Sequence, residues 1–199
     1  AFWVFTGCQT TEQKAQSKAK YVFYFIGDGV SLPQLSLTEA YLAQVSGKHG
    51  MQQLHQSKLD AHGWFYAHAD NRFITGSAAV GTALATGHKT SINTIGKSAD
   101  HAKNYESIAC KAKNTGMKVG IISTVSIDHA TPAAFYAHSE HRGHYYKIGQ
   151  QLFESGFDLF AGGGLKEPKG ENGDEPDLYQ LENDIKILRQ NSAFRKTTK

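Results

Sequence analysis

The chain has 199 residues, 40% of them apolar and 20% charged, which is enough for one domain with a hydrophobic core and excludes a disordered chain. The formal net charge is only +3, and the lysines and arginines are scattered rather than gathered in a basic patch, so no nucleic-acid partner is indicated. The ten histidines are many for this length and keep metal chemistry open.

The N-terminus combines an apolar run with a cysteine. Residues 1–8 end at Gly7-Cys8, and a polar stretch follows them. This order resembles the tail of a bacterial lipoprotein signal peptide, in which Cys8 would carry lipid. We therefore predict a signal-peptide tail and tether over residues 1–20 and a location in the periplasm or cell envelope, with a membrane anchor through Cys8. The alternative is an ordinary apolar N-terminus with a chance Gly-Cys pair.

Short apolar runs predict β-strands. Tyr21–Ile26 is a continuous apolar and aromatic run, and Lys118–Val125 is a similar run, so both are predicted as buried strands. Phe157–Phe160 predicts a third strand, which a run of glycines closes, and Gly63–Ala69 predicts a short strand that leads into the Ser77 segment.

Apolar residues at helical spacing predict helices between these strands. The predicted helices cover Leu32–Val45, Ala78–Ala85, Tyr105–Lys113, Ala133–His138, Tyr145–Glu154 and Leu178–Leu188. Pro132 suits the first turn of the fourth helix, with Thr131 as its cap. Cys110 lies in the third helix and is predicted to be a buried core thiol. Because helices alternate with apolar strands, the sequence indicates a parallel α/β sheet with crossover helices.

The segment from Ile74 to Gly87 carries a distinctive local pattern. Ser77 stands at the start of an alanine-rich helix that Gly87 ends. Its hydroxyl would lie near unpaired backbone N–H groups and the positive end of the helix dipole. That position suits a nucleophile that faces an anion, and it also suits an N-cap serine on a buried helix.

Reactive side chains follow two of the predicted strands. Asp28 lies between two glycines after the first strand, and residues 128–131, Asp-His-Ala-Thr, follow Lys118–Val125. Ligands in open α/β sheets bind at such strand ends, although a turn aspartate is the alternative for Asp28. Carboxylate, imidazole and hydroxyl groups suit a mixed Zn²⁺ and Mg²⁺ site, and Arg142 suits the grip on a phosphate. With Ser77, these groups indicate a phosphoryl-transfer site.

The order and spacing of three motifs resemble the alkaline phosphatases over residues 21–165. The motifs are Phe25-Ile26-Gly27-Asp28-Gly29, then Thr75-Gly76-Ser77-Ala78-Ala79 with Ala83-Leu84-Ala85-Thr86-Gly87, then His129-Ala130-Thr131-Pro132-Ala133-Ala134 with Ala137-His138 and Arg142. The resemblance implies an α/β fold whose mostly parallel central sheet has helices on both faces and is here incomplete. It also implies metal-dependent hydrolysis of small-molecule phosphate monoesters through a phosphoserine intermediate.

The resemblance further implies roles for five side chains. Asp28 resembles the carboxylate that bridges one zinc and the magnesium, and Ser77 resembles the zinc-activated nucleophile. Thr131 resembles a magnesium-site ligand, and Arg142 resembles the arginine that holds the phosphate. His129 stands in the magnesium site, where some bacterial members have aspartate. A neutral imidazole is a poorer Mg²⁺ ligand, so His129 would bind through water or shift the site towards zinc or cobalt.

Two features depart from the family pattern. Gly76 replaces an aspartate that orients the phosphate-binding arginine in many members, so Arg142 would be looser or oriented by another group. The remaining zinc ligands and a magnesium-site glutamate come from the C-terminal half of the family, and nothing in this chain matches them. We therefore expect residues 21–199 to be the N-terminal portion of the catalytic domain of a longer protein, inactive alone, with exposed sheet edges. The family implies a homodimer for the full-length protein.

Other functions stay open at this point. A phosphodiesterase or sulfatase of the same superfamily shares the sheet and metals, although Arg142 favours a monoester, which carries two negative charges. A lipoprotein that only binds phosphate or metal is the non-catalytic alternative, suggested by Gly76 and the unmatched ligands. His138, His141 and His144 are spaced three apart, and we interpret them as a helix face and loop rather than a separate metal site.

Overall fold

The computed structural model describes residues 19–181 and Lys186, and these residues fall into two compact units. The first unit ends at Leu54 and the second begins at His55. Cys8 and most of the predicted tether lie outside the described residues. Among the residues that are described, no helix is long and apolar enough to cross a bilayer.

In residues 19–54 of the first unit the structure has one helix, α1, which spans Leu32–Val45 and confirms the prediction at both ends. Its start is set locally, because the backbone N–H of the N-cap Ser31 donates to Oε1 of Gln34 at 3.1 Å. Pro33 lies in the first turn, where its missing N–H costs no helical hydrogen bond.

The prediction of a buried strand over Tyr21–Ile26 is wrong. The run forms no strand, and the side chain of Phe25 is 88% exposed. A strand exists only where a second strand pairs with its backbone, and residues 19–54 provide no such partner. The turn after the run does form, because the N–H of Val30 donates to the carbonyl of Gly27 at 3.2 Å.

The second unit holds four α-helices, two strands and two short 3₁₀ helices among its described residues. In chain order they are a 3₁₀ turn at Gln56–Lys58, α2 at Ser77–Thr86, α3 at Ile108–Asn114, β1 at Gly120–Ile122, α4 at Ala130–Ala133, α5 at Tyr145–Glu154, β2 at Leu159–Ala161 and a 3₁₀ turn at Leu178–Gln180. The prediction for α5 is confirmed at both ends.

Strands β1 and β2 pair in parallel, with Ile121 opposite Phe160. This pairing confirms the parallel α/β prediction, although the described sheet has only these two strands. Both strands are shorter than predicted, and β1 is not buried, since Ile122 is 74% exposed. The predicted strand at Gly63–Ala69 is absent for the same reason as in the first unit, because no described strand pairs with it.

Helices α2 and α4 pack directly against each other. Gly81 makes the approach possible, because a Cβ added there would lie 3.4 Å from both Cα of Thr131 and Cβ of Ala134. Ala78 and Ala85 of α2 are wholly buried. Small side chains on α2 and α4 therefore let the two helices pack closely.

Two of the predicted helices need correction. Helix α4 begins two residues earlier than a Thr131 cap requires, because His129 is its N-cap and Thr131 is already helical. The helix ends at Ala133 and does not continue to His138. In the predicted C-terminal helix, Leu178–Gln180 form a 3₁₀ turn, and most of the residues after Leu181 lie outside the described part of the chain.

Helix α3 also differs from its prediction, since it starts at Ile108 rather than Tyr105. Ser107 is the N-cap, and its hydroxyl accepts a hydrogen bond from the N–H of Cys110 at 3.1 Å. Cys110 itself is half-buried rather than buried, with its Sγ 3.8 Å from the carbonyl oxygen of Phe135.

Candidate active site

Ser77 is the first helical residue of α2, and Gly76 is the N-cap. The alternative of an N-cap serine is therefore wrong, because the capping position belongs to a residue without a side chain. Ser77 is half-buried and lies in the first turn of the helix. Gly87 ends α2 in the left-handed conformation, with φ 77°, as the sequence predicted.

Thr131 lies on the helix that packs against α2. It is the second residue of α4, and its Cα would lie 3.4 Å from a Cβ added at Gly81, which lies one helical turn beyond Ser77. The packing of α2 on α4 thus brings the turn that holds His129 and Thr131 against the helix that begins at Ser77.

Arg142 contacts His129. Its Nη2 lies 3.1 Å from Nε2 of His129 and 3.5 Å from Nδ1. A guanidinium has donors only, so the ring nitrogen of His129 accepts the hydrogen bond and is unprotonated in this arrangement. The sequence left open whether another group orients Arg142 in place of the missing aspartate, and His129 is a side chain that does contact it.

Asp28 belongs to the first unit, where it lies in an exposed turn between Gly27 and Gly29. Gly29 has φ 73°, a conformation that glycine adopts without strain. The carboxylate is therefore held on a tight, solvent-accessible turn, as the sequence predicted for this residue.

The donors available for a metal are right in kind but too few. Ser77, Thr131 and His129 offer hydroxyl and imidazole groups, which are ligands for Mg²⁺ and Zn²⁺, and such ions take about four to six ligands each. In the part of the chain that the structure describes, no three His, Cys, Asp or Glu side chains gather as a metal site. A complete centre therefore requires further ligands besides these.

The spaced histidines make ordinary hydrogen bonds. Nε2 of His138 lies 2.9 Å from the carbonyl of Tyr105, and Nδ1 of His144 lies 3.2 Å from the hydroxyl of Ser139. These contacts join a loop to its neighbours. The three histidines lie between α4 and α5, so the loop part of the interpretation is confirmed and the helix face is wrong.

Asp128 is a buried carboxylate to which the sequence gave no separate role. It is 0% exposed, and its Oδ2 accepts a hydrogen bond from the N–H of Lys166 at 2.7 Å. Its Oδ1 has no hydrogen-bond partner among the described residues. Burial, and secondarily the charge of Asp128, raises the pKa of Tyr136, whose hydroxyl donates to the carbonyl of Ile127 at 2.8 Å. The carboxylate ties the loop after β2 to the turn that holds His129.

Known proteins match this arrangement of elements. The alkaline phosphatase family model matches residues 19–167. Alkaline phosphatase 4 of Bacillus subtilis is 34% identical over 178 residues, which cover 81% of this chain and 38% of that protein. The solved alkaline phosphatase of the Antarctic bacterium TAB5 is 32% identical with a TM-score of 0.64, over 76% of this chain and 42% of that one.

A further solved structure concerns the metal. It is a histidine-to-glutamate mutant of the TAB5 enzyme with Mg bound in its M3 site, and it is similar with a TM-score of 0.59 and 32% identity. The similarity covers 69% of this chain and 40% of the mutant. The chain spans less than half the length of these relatives. The family match extends over most of the chain, so the chain belongs to the alkaline phosphatase family.

Proposed function

We propose that the protein hydrolyses small-molecule phosphate monoesters, with Ser77 as the nucleophile and a phosphoserine as the intermediate. The observation that carries the proposal is the packing of α2, which begins at Ser77, on α4, whose N-cap His129 contacts Arg142. A hydroxyl at a helix N-terminus can act as the nucleophile of a phosphoryl transfer, and a guanidinium on the neighbouring segment can stabilise the charge on the transferred group.

The start of α2 supplies a favourable environment for an anion. The N–H groups of the first turn have no partners within the helix, and the positive end of the dipole adds to their attraction for phosphate. The hydroxyl of Ser77 lies at this point. A phosphoryl group held there would meet the nucleophile and the backbone donors together.

Arg142 would hold the phosphoryl oxygens. Its hydrogen bond to His129 uses one of the five N–H donors of a guanidinium, so the others stay available for two parallel hydrogen bonds to a phosphate. The contact with His129 would fix the plane of the guanidinium before substrate binds, which reduces the entropy that binding costs. A monoester with two negative charges would profit most from this cation.

From the family resemblance we assign metal-ligand roles to Asp28, Ser77, His129 and Thr131, with further ligands needed for zinc and magnesium. When bound, they would lower the pKa of the attacking hydroxyl and stabilise the leaving oxygen. In this proposal His129 has two tasks, since it contacts Arg142, whose Nη2 lies within 3.5 Å of both ring nitrogens, and it is also assigned to the metal site.

The test uses the complete protein with Zn²⁺ and Mg²⁺ supplied. We expect hydrolysis of a chromogenic phosphate monoester at alkaline pH and a phosphoserine that can be trapped by acid quench. Ser77→Ala should abolish both, whereas Thr115→Ala, which removes a surface hydroxyl bonded to Ala112, should change neither. Undiminished turnover in Ser77→Ala would exclude Ser77 as the nucleophile.

The same preparation separates the other functions. Faster hydrolysis of a diester or a sulfate ester than of the monoester would assign the protein to the phosphodiesterase or sulfatase alternative. Tight phosphate binding without turnover would favour a binding protein.

The lipid anchor and the homodimer are separate proposals that rest on the sequence and the family. Incorporation of labelled palmitate that is lost in Cys8→Ser would support the anchor and with it an envelope location. Light scattering on the complete protein would give the mass of the assembly.

A further inference from the structure

A buried threonine of α2 makes two hydrogen bonds to a neighbouring loop. Thr82 lies five residues after Ser77 and is 0% exposed. Its hydroxyl donates to the carbonyl of Thr94 at 3.3 Å and accepts from the N–H of Gly96 at 2.9 Å. One side chain of α2 therefore satisfies two backbone groups of the loop at residues 93–96, which we call the bracing loop.

The bracing loop is in turn bonded to the segment that carries Arg142. The N–H of Ile95 donates to the carbonyl of Ser139, and the N–H of Ser139 donates to the carbonyl of Ile95, both at 2.8 Å. The N–H of Arg142 donates to the carbonyl of Asn93, also at 2.8 Å. The backbone on which the guanidinium is mounted is thus fixed by the same loop that Thr82 holds.

Close packing keeps the loop from shifting. Gly96 has φ 63°, and a Cβ added there would clash with the carbonyl oxygen of Ala137. The hydroxyl of Thr94, also 0% exposed, lies 3.3 Å from the carbonyl of Glu140. The loop therefore touches the chain on both sides of Ser139 and has little freedom to move independently.

The sequence of α2 agrees with a specific task for Thr82. The helix is rich in alanine, and threonine is a less favourable helix residue than alanine because it is β-branched. A buried hydroxyl also needs hydrogen-bond partners, which Thr82 finds outside its own helix.

We propose that Thr82 is a positioning residue that fixes the Arg142 guanidinium relative to the Ser77 hydroxyl. This inference rests on the proposed function, since the distance between nucleophile and guanidinium matters only if a phosphoryl group lies between them. The route runs from α2 through the bracing loop to the backbone of Arg142.

The test begins with Thr82→Val, which keeps the shape of the side chain and removes its hydroxyl. In the complete metal-loaded protein we expect kcat/KM for a phosphate monoester to fall about 10- to 100-fold, as displaced catalytic groups do. In an Arg142→Ala background the same substitution should change kcat/KM by less than about 2-fold, because a double-mutant cycle cancels an effect that acts only through Arg142. Thr82→Ser, which restores the hydroxyl, should recover most of the rate.

Thr86→Val is the matched control. Thr86 is a buried threonine one turn further along α2, and its hydroxyl bonds to the carbonyl of Thr82 and the N–H of His88. The Thr86→Val variant should lose stability as Thr82→Val does but should keep the wild-type kcat/KM. The amide of Arg142 should exchange its hydrogen faster in Thr82→Val than in Thr86→Val.

Two results would overturn the inference. One is an equal loss of rate from Thr82→Val with and without Arg142, and the other is an unchanged exchange rate at the Arg142 amide. If the wild-type protein hydrolyses no monoester, the proposed function fails by itself. Calorimetry with inorganic phosphate then decides the inference. Thr82→Val should lower the affinity for phosphate when Arg142 is present and should leave it unchanged in the Arg142→Ala background.

Discussion

Arg142 donates a hydrogen bond from Nη2 to Nε2 of His129 at 3.1 Å, across 13 residues of chain. The imidazole thus contacts the guanidinium in a protein where Gly76, which has no side chain, replaces the aspartate that many family members carry. We expect His129→Leu, which removes the acceptor, to raise KM for a phosphate monoester by about 10-fold, the value of one hydrogen bond to a charged group.

His129→Gln is the control for that prediction, because its side-chain oxygen can accept the same hydrogen bond. It should keep KM near the wild-type value. Titration of activity against magnesium separates a lost metal ligand from a misplaced arginine. If KM stays constant in His129→Leu and only the magnesium requirement rises, the contact with Arg142 has no part in substrate binding.

Gly76 has room for the aspartate that many family members carry. Its φ of −149° and ψ of 166° suit any residue, and a Cβ added there meets no atom within 4 Å. Gly76→Asp should therefore stabilise the protein by about 0.3–1 kcal/mol, through an N-cap hydrogen bond and attraction to the helix dipole. Urea unfolding measures the gain in stability. Gly76→Asn provides the N-cap hydrogen bond without the charge, so the part of the gain that Gly76→Asp has beyond Gly76→Asn should disappear in high salt.

Gly96 and Gly116 provide a matched pair of left-handed glycines, with φ 63° and 86°. Gly116 has open space around it, so Gly116→Ala should cost only the conformational penalty, about 1–2 kcal/mol. Gly96→Ala should cost more, because its Cβ would also clash with the carbonyl of Ala137. Equal losses in urea unfolding would show that the bracing loop can move away from Ala137.

Asp158 links α3 to the start of β1. Salt bridges from Lys113 at 2.7 Å and Lys118 at 2.9 Å, with the N–H of Val119, hold the pKa of its carboxyl well below the usual value. The ionised carboxylate therefore stabilises the fold above the unfolded pKa of about 3.9, and this contribution is lost as the pH falls towards the folded pKa.

Asp158→Asn removes that contribution at neutral pH, so its stability should fall less than that of the wild type when the solution is acidified from about pH 5 to pH 2. Thermal unfolding at a series of pH values measures the difference. Asp60→Asn, at an exposed aspartate, should follow the wild-type curve. If the stability of Asp158→Asn falls with pH as steeply as that of the wild type, other carboxylates dominate acid unfolding.

The helices with local signals were predictable from the sequence. Leu32–Val45 and Tyr145–Glu154 agree at both ends, because Ser31 and Gln34 set the start of one, and Ser155 with Gly156 ends the other. The apolar run at Tyr21–Ile26 failed as a strand because pairing depends on residues far away in the chain. An apolar run shows what can be buried, and only the fold shows what covers it.

In the candidate site, too, local features could be predicted from the sequence and contacts between distant residues could not. The motif around Ser77 gave the helix and its end at Gly87, since both depend on neighbouring residues. The contact of Arg142 with His129 and the bonds of Thr82 to the bracing loop join residues 12 to 14 positions apart, and no periodicity reveals them. Asp128 carried one signal, a carboxylate directly before the candidate ligand His129, and its burial could be learned only from the structure.

The pairing of β1 with β2 has a consequence for handling the protein. Each strand is paired on one side in the described sheet, and the exposed side chains of Ile122 and Leu159 lie on these strands. A bare strand edge beside apolar surface is a template for another copy of the chain. Pairing through these edges would rise with the concentration of the protein, so its state of assembly should be measured over a dilution series.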